Sequence, residues 1–119
     1  MSKLVNEVNR RLEEGIENWG GVTSPDFKDF AKVFGKMIRE QLKQIGGTDY
    51  KQNTGHYYIS GFFTVGEQVY YISISDVRHF PDDKMLIRTA KDYKDFTGGT
   101  NNYLTIRDGM FEDLECRIS

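Results

Sequence analysis

The sequence predicts an α+β domain: two N-terminal amphipathic helices packed on one face of a four- to five-stranded, mainly antiparallel sheet. Three observations predict it. Apolar residues recur at spacings of three and four up to about residue 45, and at spacings of two beyond it. Paired glycines at Gly20-Gly21, Gly46-Gly47 and Gly98-Gly99 punctuate the chain where turns and helix ends are expected. Aromatic side chains are plentiful, with 8 Phe, 7 Tyr and 1 Trp, a supply that suits a pleated sheet face.

The first helix is expected over about 2–19. Leu4, Val5, Val8, Leu12, Ile16 and Trp19 form one apolar stripe, which Gly15 weakens and Gly20 ends. The second is expected over about 24–45. Ser24 suits the N-cap, Pro25 the first helical position and Asp26 the positive end of the helix dipole. Phe27, Phe30, Ala31, Phe34, Ile38, Leu42 and Ile45 supply its buried stripe, and Gly46 its end.

The sheet region is expected over about 56–107. His56–Val65 and Val69–Val77 are rich in β-branched and aromatic residues, with Gly66-Glu67-Gln68 as the hairpin loop between them. Alternation places Tyr70, Ile72 and Ile74 on one face, and Tyr71, Ser73 and Ser75 on a wetter one. After a turn at Pro81-Asp82-Asp83, Met85–Thr89 and Asn102–Arg107 give two further strands. Residues 110–116 read either as a short helical segment or as a fifth strand. Sequential strands this close pair as a meander. The whole chain, 1–119, reads as a single domain.

Composition narrows the function classes. Apolar residues are 38% and charged residues 29%, which is globular and not disordered. The formal net charge of −2 argues against a general nucleic-acid binder, which needs a basic surplus to displace counterions. Residues 1–48 hold 8 basic and 7 acidic side chains and residues 49–119 hold 8 and 11, so the sheet half is mildly acidic. The one cysteine, Cys116, excludes an intramolecular disulfide and a cysteine metal site, and favours a reducing, cytoplasmic setting. The N-terminal stretch has no continuous apolar core of a secretory signal, and no apolar run approaches the length of a membrane span.

Candidate chemistry concentrates between Asp76 and Tyr103. Arg78, His79, Arg88 and Lys91 accompany Thr97, Gly98, Gly99 and Thr100, followed by Asn101 and Asn102. Glycine backbone N–H groups beside arginine are the materials of an anion site. A tight turn with solvated charges uses the same residues, and neither phosphate-loop spacing is present. Catalysis by Ser73, Ser75, Asp76 and His79 lacks a motif, and positions 76 and 79 face opposite sides of a strand. No catalytic residue is assigned. His56 and His79 are not spaced as metal ligands, and Asp82-Asp83 lacks the calcium-loop pattern, so neither a metal nor a cofactor is implied. The adjacent aromatics Tyr57-Tyr58, Phe62-Phe63 and Tyr70-Tyr71 place one ring on each sheet face, where the outer set would anchor a partner or a second copy, or belong to a two-sided core. Lys28, Lys32, Lys36, Arg39 and Lys43 make a basic stripe on the second helix, ordinary for a solvated face.

Residues 86–103, LIRTAKDYKDFTGGTNNY, resemble a stretch in short uncharacterised proteins of Gram-positive bacteria and their mobile elements. The resemblance covers under a fifth of the chain and implies a bacterial accessory protein without an assigned activity. Taken together, these features lead to an intracellular binding or interaction module. It would meet a protein partner, or itself, through residues 78–103 or the aromatic outer face. The alternative is an enzyme or sensor that holds a phosphorylated or anionic small ligand with Arg78, Arg88, Lys91 and Thr97–Thr100.

Overall fold

The structure is a computed structural model and describes residues 2–14, 25–55, 57–75, 77, 84–112 and 114. Two helices, α1 (Lys3–Glu14) and α2 (Pro25–Lys43), precede six strands: β1 (Thr48–Thr54), β2 (Ile59–Val65), β3 (Gln68–Ile74), β4 (Lys84–Asp92), β5 (Asp95–Gly98) and β6 (Asn102–Thr105). All strand pairings are antiparallel, in the order β1-β2-β3-β4. Beyond β4, β5 and β6 lie end to end along the same edge: Ala90 pairs with Gly98, and Ile87 with Asn102. The sheet is therefore five strands wide, as expected, although six segments build it.

α1 opens on Ser2, whose Oγ accepts the Val5 N–H at 3.2 Å as an N-cap. Val5 and Val8 are buried, with Leu4 and Leu12 at the margin. α2 begins at Pro25, as expected, and buries Phe27, Phe30, Ala31, Phe34, Met37, Ile38 and Leu42. Its end is a Schellman motif. Gly47 N–H donates to Leu42 O at 2.8 Å, Gly46 N–H to Lys43 O at 3.4 Å, and Gly46 sits at φ +74°. Arg11 ties the helices together, with Nη1 2.7 Å from Asp29 and Nη2 2.9 Å from Glu7. Burial draws the Arg11 pKa down, but its hydrogen bonds to Asp29 and Glu7 outweigh burial and carry it above the ordinary value.

The helices cover one face of the sheet. Ile59, Phe63, Tyr70, Ile72, Ile74, Met85, Ile87 and Leu104 point into that layer. The chain after β6 closes it: Ile106, Met110, Phe111 and Leu114 are buried, and the Phe111 ring lies 5.2 Å from that of Phe63. Residues 108–112 are turns, and residue 114 is helical. This part of the 110–116 element is accordingly not a fifth strand.

Two strands depart from the sequence expectation. β1 was not anticipated, because TDYKQNT carries one large apolar residue, Tyr50. Thr97 and Gly98 belong to β5 and are not a loop. The hairpin is also tighter than expected: Val65 pairs with Gln68, leaving Gly66-Glu67 as a two-residue turn. The first sheet segment starts late, at Ile59, since Tyr57 turns the chain at φ +64°. The Pro81-Asp82-Asp83 turn, Ser24 and the end of the first helix lie outside the described residues.

Tyr50 explains how a polar strand docks. Its ring lies on Gly61 of β2, where an added Cβ would stand 2.5 Å from Tyr50 Cε1. Its hydroxyl donates to Gln52 Oε1 at 2.6 Å, and Gln52 Nε2 donates to Ala31 O at 2.9 Å. The strand is thus set on β2 by one ring and tied to α2 by one amide. Gly61→Ala is expected to overpack this contact and destabilise the domain by about 1–3 kcal/mol, read as a lower urea midpoint. An unchanged midpoint would contradict the account of Gly61.

Candidate functional site

The sheet face away from the helices carries an ordered row of side chains. Register aligns Lys51 of β1 with Phe62 of β2, Phe62 with Tyr71 of β3, and Tyr71 with Arg88 of β4. Cross-strand partners project to the same face, so the row reads cation, ring, ring, cation. The Phe62 and Tyr71 rings are 5.1 Å apart, and the Arg88 guanidinium lies 5.2 Å from the Tyr71 centroid. Arg88 Nη1 donates to Asn101 Oδ1 at 3.1 Å. Tyr93, in the β4–β5 turn, leans onto Phe62 at 5.7 Å and shares a 2.6 Å hydrogen bond with Thr64.

Phe62 is nevertheless buried beneath these neighbours, so the face is not a bare aromatic sheet. The exposed ring is Tyr103, which pairs with Leu86 on the same face and keeps 61% of its surface open. Tyr58, at 38%, is the other large hydrophobic left exposed among the described residues. Arg88 is half-buried and touches both the Tyr71 ring and the Asn101 amide.

The sequence candidates divide into three groups. Arg88 and Asn101 are brought together. Lys91 is exposed but three positions along β4 from Arg88, which turns it to the opposite side, and Asn102 pairs with inward-facing Ile87. Thr97 and Gly98 are strand residues, and Gly99 N–H already donates to Thr89 O at 3.2 Å. The Gly99 N–H is thereby withdrawn from the expected backbone cradle. Arg78 and His79 lie outside the described residues, as do Asp76 and His56. Ser73 is on the outer face and half-buried, and Ser75 is exposed. Among the described residues no group of three or more His, Cys, Asp or Glu side chains could hold a metal ion, and no helix is long and apolar enough to cross a membrane.

Sequence reasoning passed over Lys51 and Tyr93, because their roles come from register and from a turn folding back. It also passed over Tyr50. Burial pushes the Tyr50 phenol above the ordinary tyrosine range, while the charge of Arg39, 5.2 Å from its ring, pulls the other way.

No protein-family model, curated protein or solved structure matches the chain.

The raised phenol sets an alkaline limit. Protonated Tyr50 is favoured in the folded state, so its contribution is complete below the unfolded value of 10.0 and is lost as pH rises through and beyond it. Melting temperature is expected to fall on passing from pH 9 to pH 11, and Tyr50→Phe to flatten that fall. Parallel curves for the two proteins would contradict this assignment.

Proposed function

We propose that the domain is a non-enzymatic interaction module that binds a partner protein through its outer sheet face. The row Lys51–Phe62–Tyr71–Arg88 carries the proposal. Two cations flank two packed rings, and Tyr103 stands exposed beside them. Such a face suits a partner segment with acidic residues on either side of an apolar one, since aromatic and arginine anchors supply most interface energy.

The sheet edges favour the face over edge-to-edge assembly. β1 is bulged between Thr48 and Lys51, with Asp49 at φ +57°, and Lys51 is exposed on it. The opposite edge is broken between β5 and β6 at residues 99–101. Bulges, an edge lysine and short edge strands all discourage strand addition. A bacterial, cytoplasmic accessory role agrees with the resemblance of residues 86–103 and with the single cysteine.

A photo-crosslinking amino acid at position 103 is expected to capture a discrete partner in cells, whereas the same group at Lys32 on α2 captures none. Arg88→Ala should weaken that capture about tenfold or more. Tyr103→Ala, whose ring is exposed, should leave stability within about 0.5 kcal/mol. Equal capture from positions 103 and 32, or capture indifferent to Arg88→Ala, would overturn the reading.

A further inference from the structure

A cleft with a mixed apolar and charged lining lies at the helix side of the molecule. It is an open cleft of about 310 Å³ between the last turns of α2 and the start of β1. Arg39, Leu42 and Lys43 form one wall, and Thr48, Asp49 and Tyr50 the other. This volume is at the lower end of the small-ligand range.

Three features mark it as more than a surface fold. Arg39 and Lys43, one helical turn apart, both face the cleft, and among the described residues no carboxylate lies within 4.0 Å of either cation. Arg39 is also pre-set. Its guanidinium lies over the Tyr50 ring at 5.2 Å and folds back on Gly35, where an added Cβ would stand 3.1 Å from Nη1. A guanidinium carries five N–H donors in a fixed fork, which suits a planar oxyanion. Asp49 holds a left-handed conformation at φ +57°, one that costs free energy and concentrates at ligand sites. It lines the rim beside the two cations, as an acceptor for a hydroxyl or amine.

The geometry points to a binding site for a small oxyanion, a carboxylate or a phosphate ester, carrying a short apolar body. Arg39 and Lys43 take the anionic group, Leu42 and the Tyr50 ring take the body, and Asp49 selects for a hydrogen-bond donor at the rim. The site shares no residue with the outer-face row and stands independently of the partner-binding reading.

Backbone amide NMR titrations of the full chain distinguish the possibilities, with phenyl phosphate, phenylacetate and inorganic phosphate as probes. Saturable shifts at Gly47, Thr48, Asp49 and Tyr50 are expected with phenyl phosphate or phenylacetate, and weaker ones with inorganic phosphate. Whichever organic probe binds more tightly identifies the oxyanion. Arg39→Gln and Lys43→Gln should each raise the dissociation constant about tenfold, the effect of removing a charged hydrogen-bond partner. Both residues are exposed, so both variants should keep the wild-type spectrum elsewhere, and Lys32→Gln should titrate as wild type. Absence of saturable shifts with all three probes overturns the proposal. So do shifts spread along every lysine of α2, or affinities unchanged in both variants.

Discussion

One buried amide holds the three parts of this fold in register. Gln41 is 1% exposed on α2, amid a layer otherwise apolar. Its Oε1 accepts the Gly109 N–H at 2.8 Å, and its Nε2 donates to Asp108 Oδ1 at 3.1 Å. The other Asp108 oxygen, Oδ2, accepts the backbone N–H of Ser2 at 2.6 Å, at the start of α1. Asn9 adds a second link, from Nδ2 to Ile106 O at 3.0 Å. Apolar contacts are indifferent to direction and tolerate sliding, whereas a buried polar group must meet particular partners or lose them. Gln41 therefore fixes where the turn after β6 sits under the helices, and with it Met110, Phe111 and Leu114.

This arrangement makes the sheet one-sided. Both helices and the closing segment after β6 crowd the same face, and Phe63 stands among Tyr70, Phe111 and the helical phenylalanines. The opposite face keeps a thin cover of its own, in which Tyr93 and Tyr71 shield Phe62. On that face Tyr103 and Lys51 are exposed and Arg88 is half-buried. The cleft beside α2 arises differently. It forms because β1 must bulge to set Tyr50 on Gly61 while the Schellman turn holds residues 44–47 close to the helix.

How much of this was legible in the sequence depended on whether the signal was local. α2 was legible because its stripe and Pro25 lie within it and Gly46 follows three positions after its end. β3 was legible because the alternation of Tyr70, Ile72 and Ile74 with Tyr71 and Ser73 is the pattern of a half-covered sheet, and β2 and β4 because their segments are rich in β-branched, aromatic and other apolar residues. β1 was not: its apolar content is Tyr50, and its place depends on a glycine eleven positions on. β5 hid because Thr97-Gly98-Gly99-Thr100 has turn composition, and only pairing with Ala90 makes two of these residues a strand. Of the candidate site, Arg88 and Asn101 emerged together, while Lys51 entered through a register that no local pattern encodes. The Gln41 node was illegible for the same reason, since its partners lie 67 and 68 positions away.

The central claim is that the Gln41–Asp108 contact couples the helices to the segment that closes the core. A double-mutant cycle with Gln41→Leu and Asp108→Ala, followed by urea unfolding, tests it most directly. Each single change should cost about 1–3 kcal/mol, because it strands a buried donor or acceptor. The pair should cost less than the sum, by about 0.5–3 kcal/mol. Additive losses, or a Gln41→Leu protein more stable than the wild type, would contradict the claim.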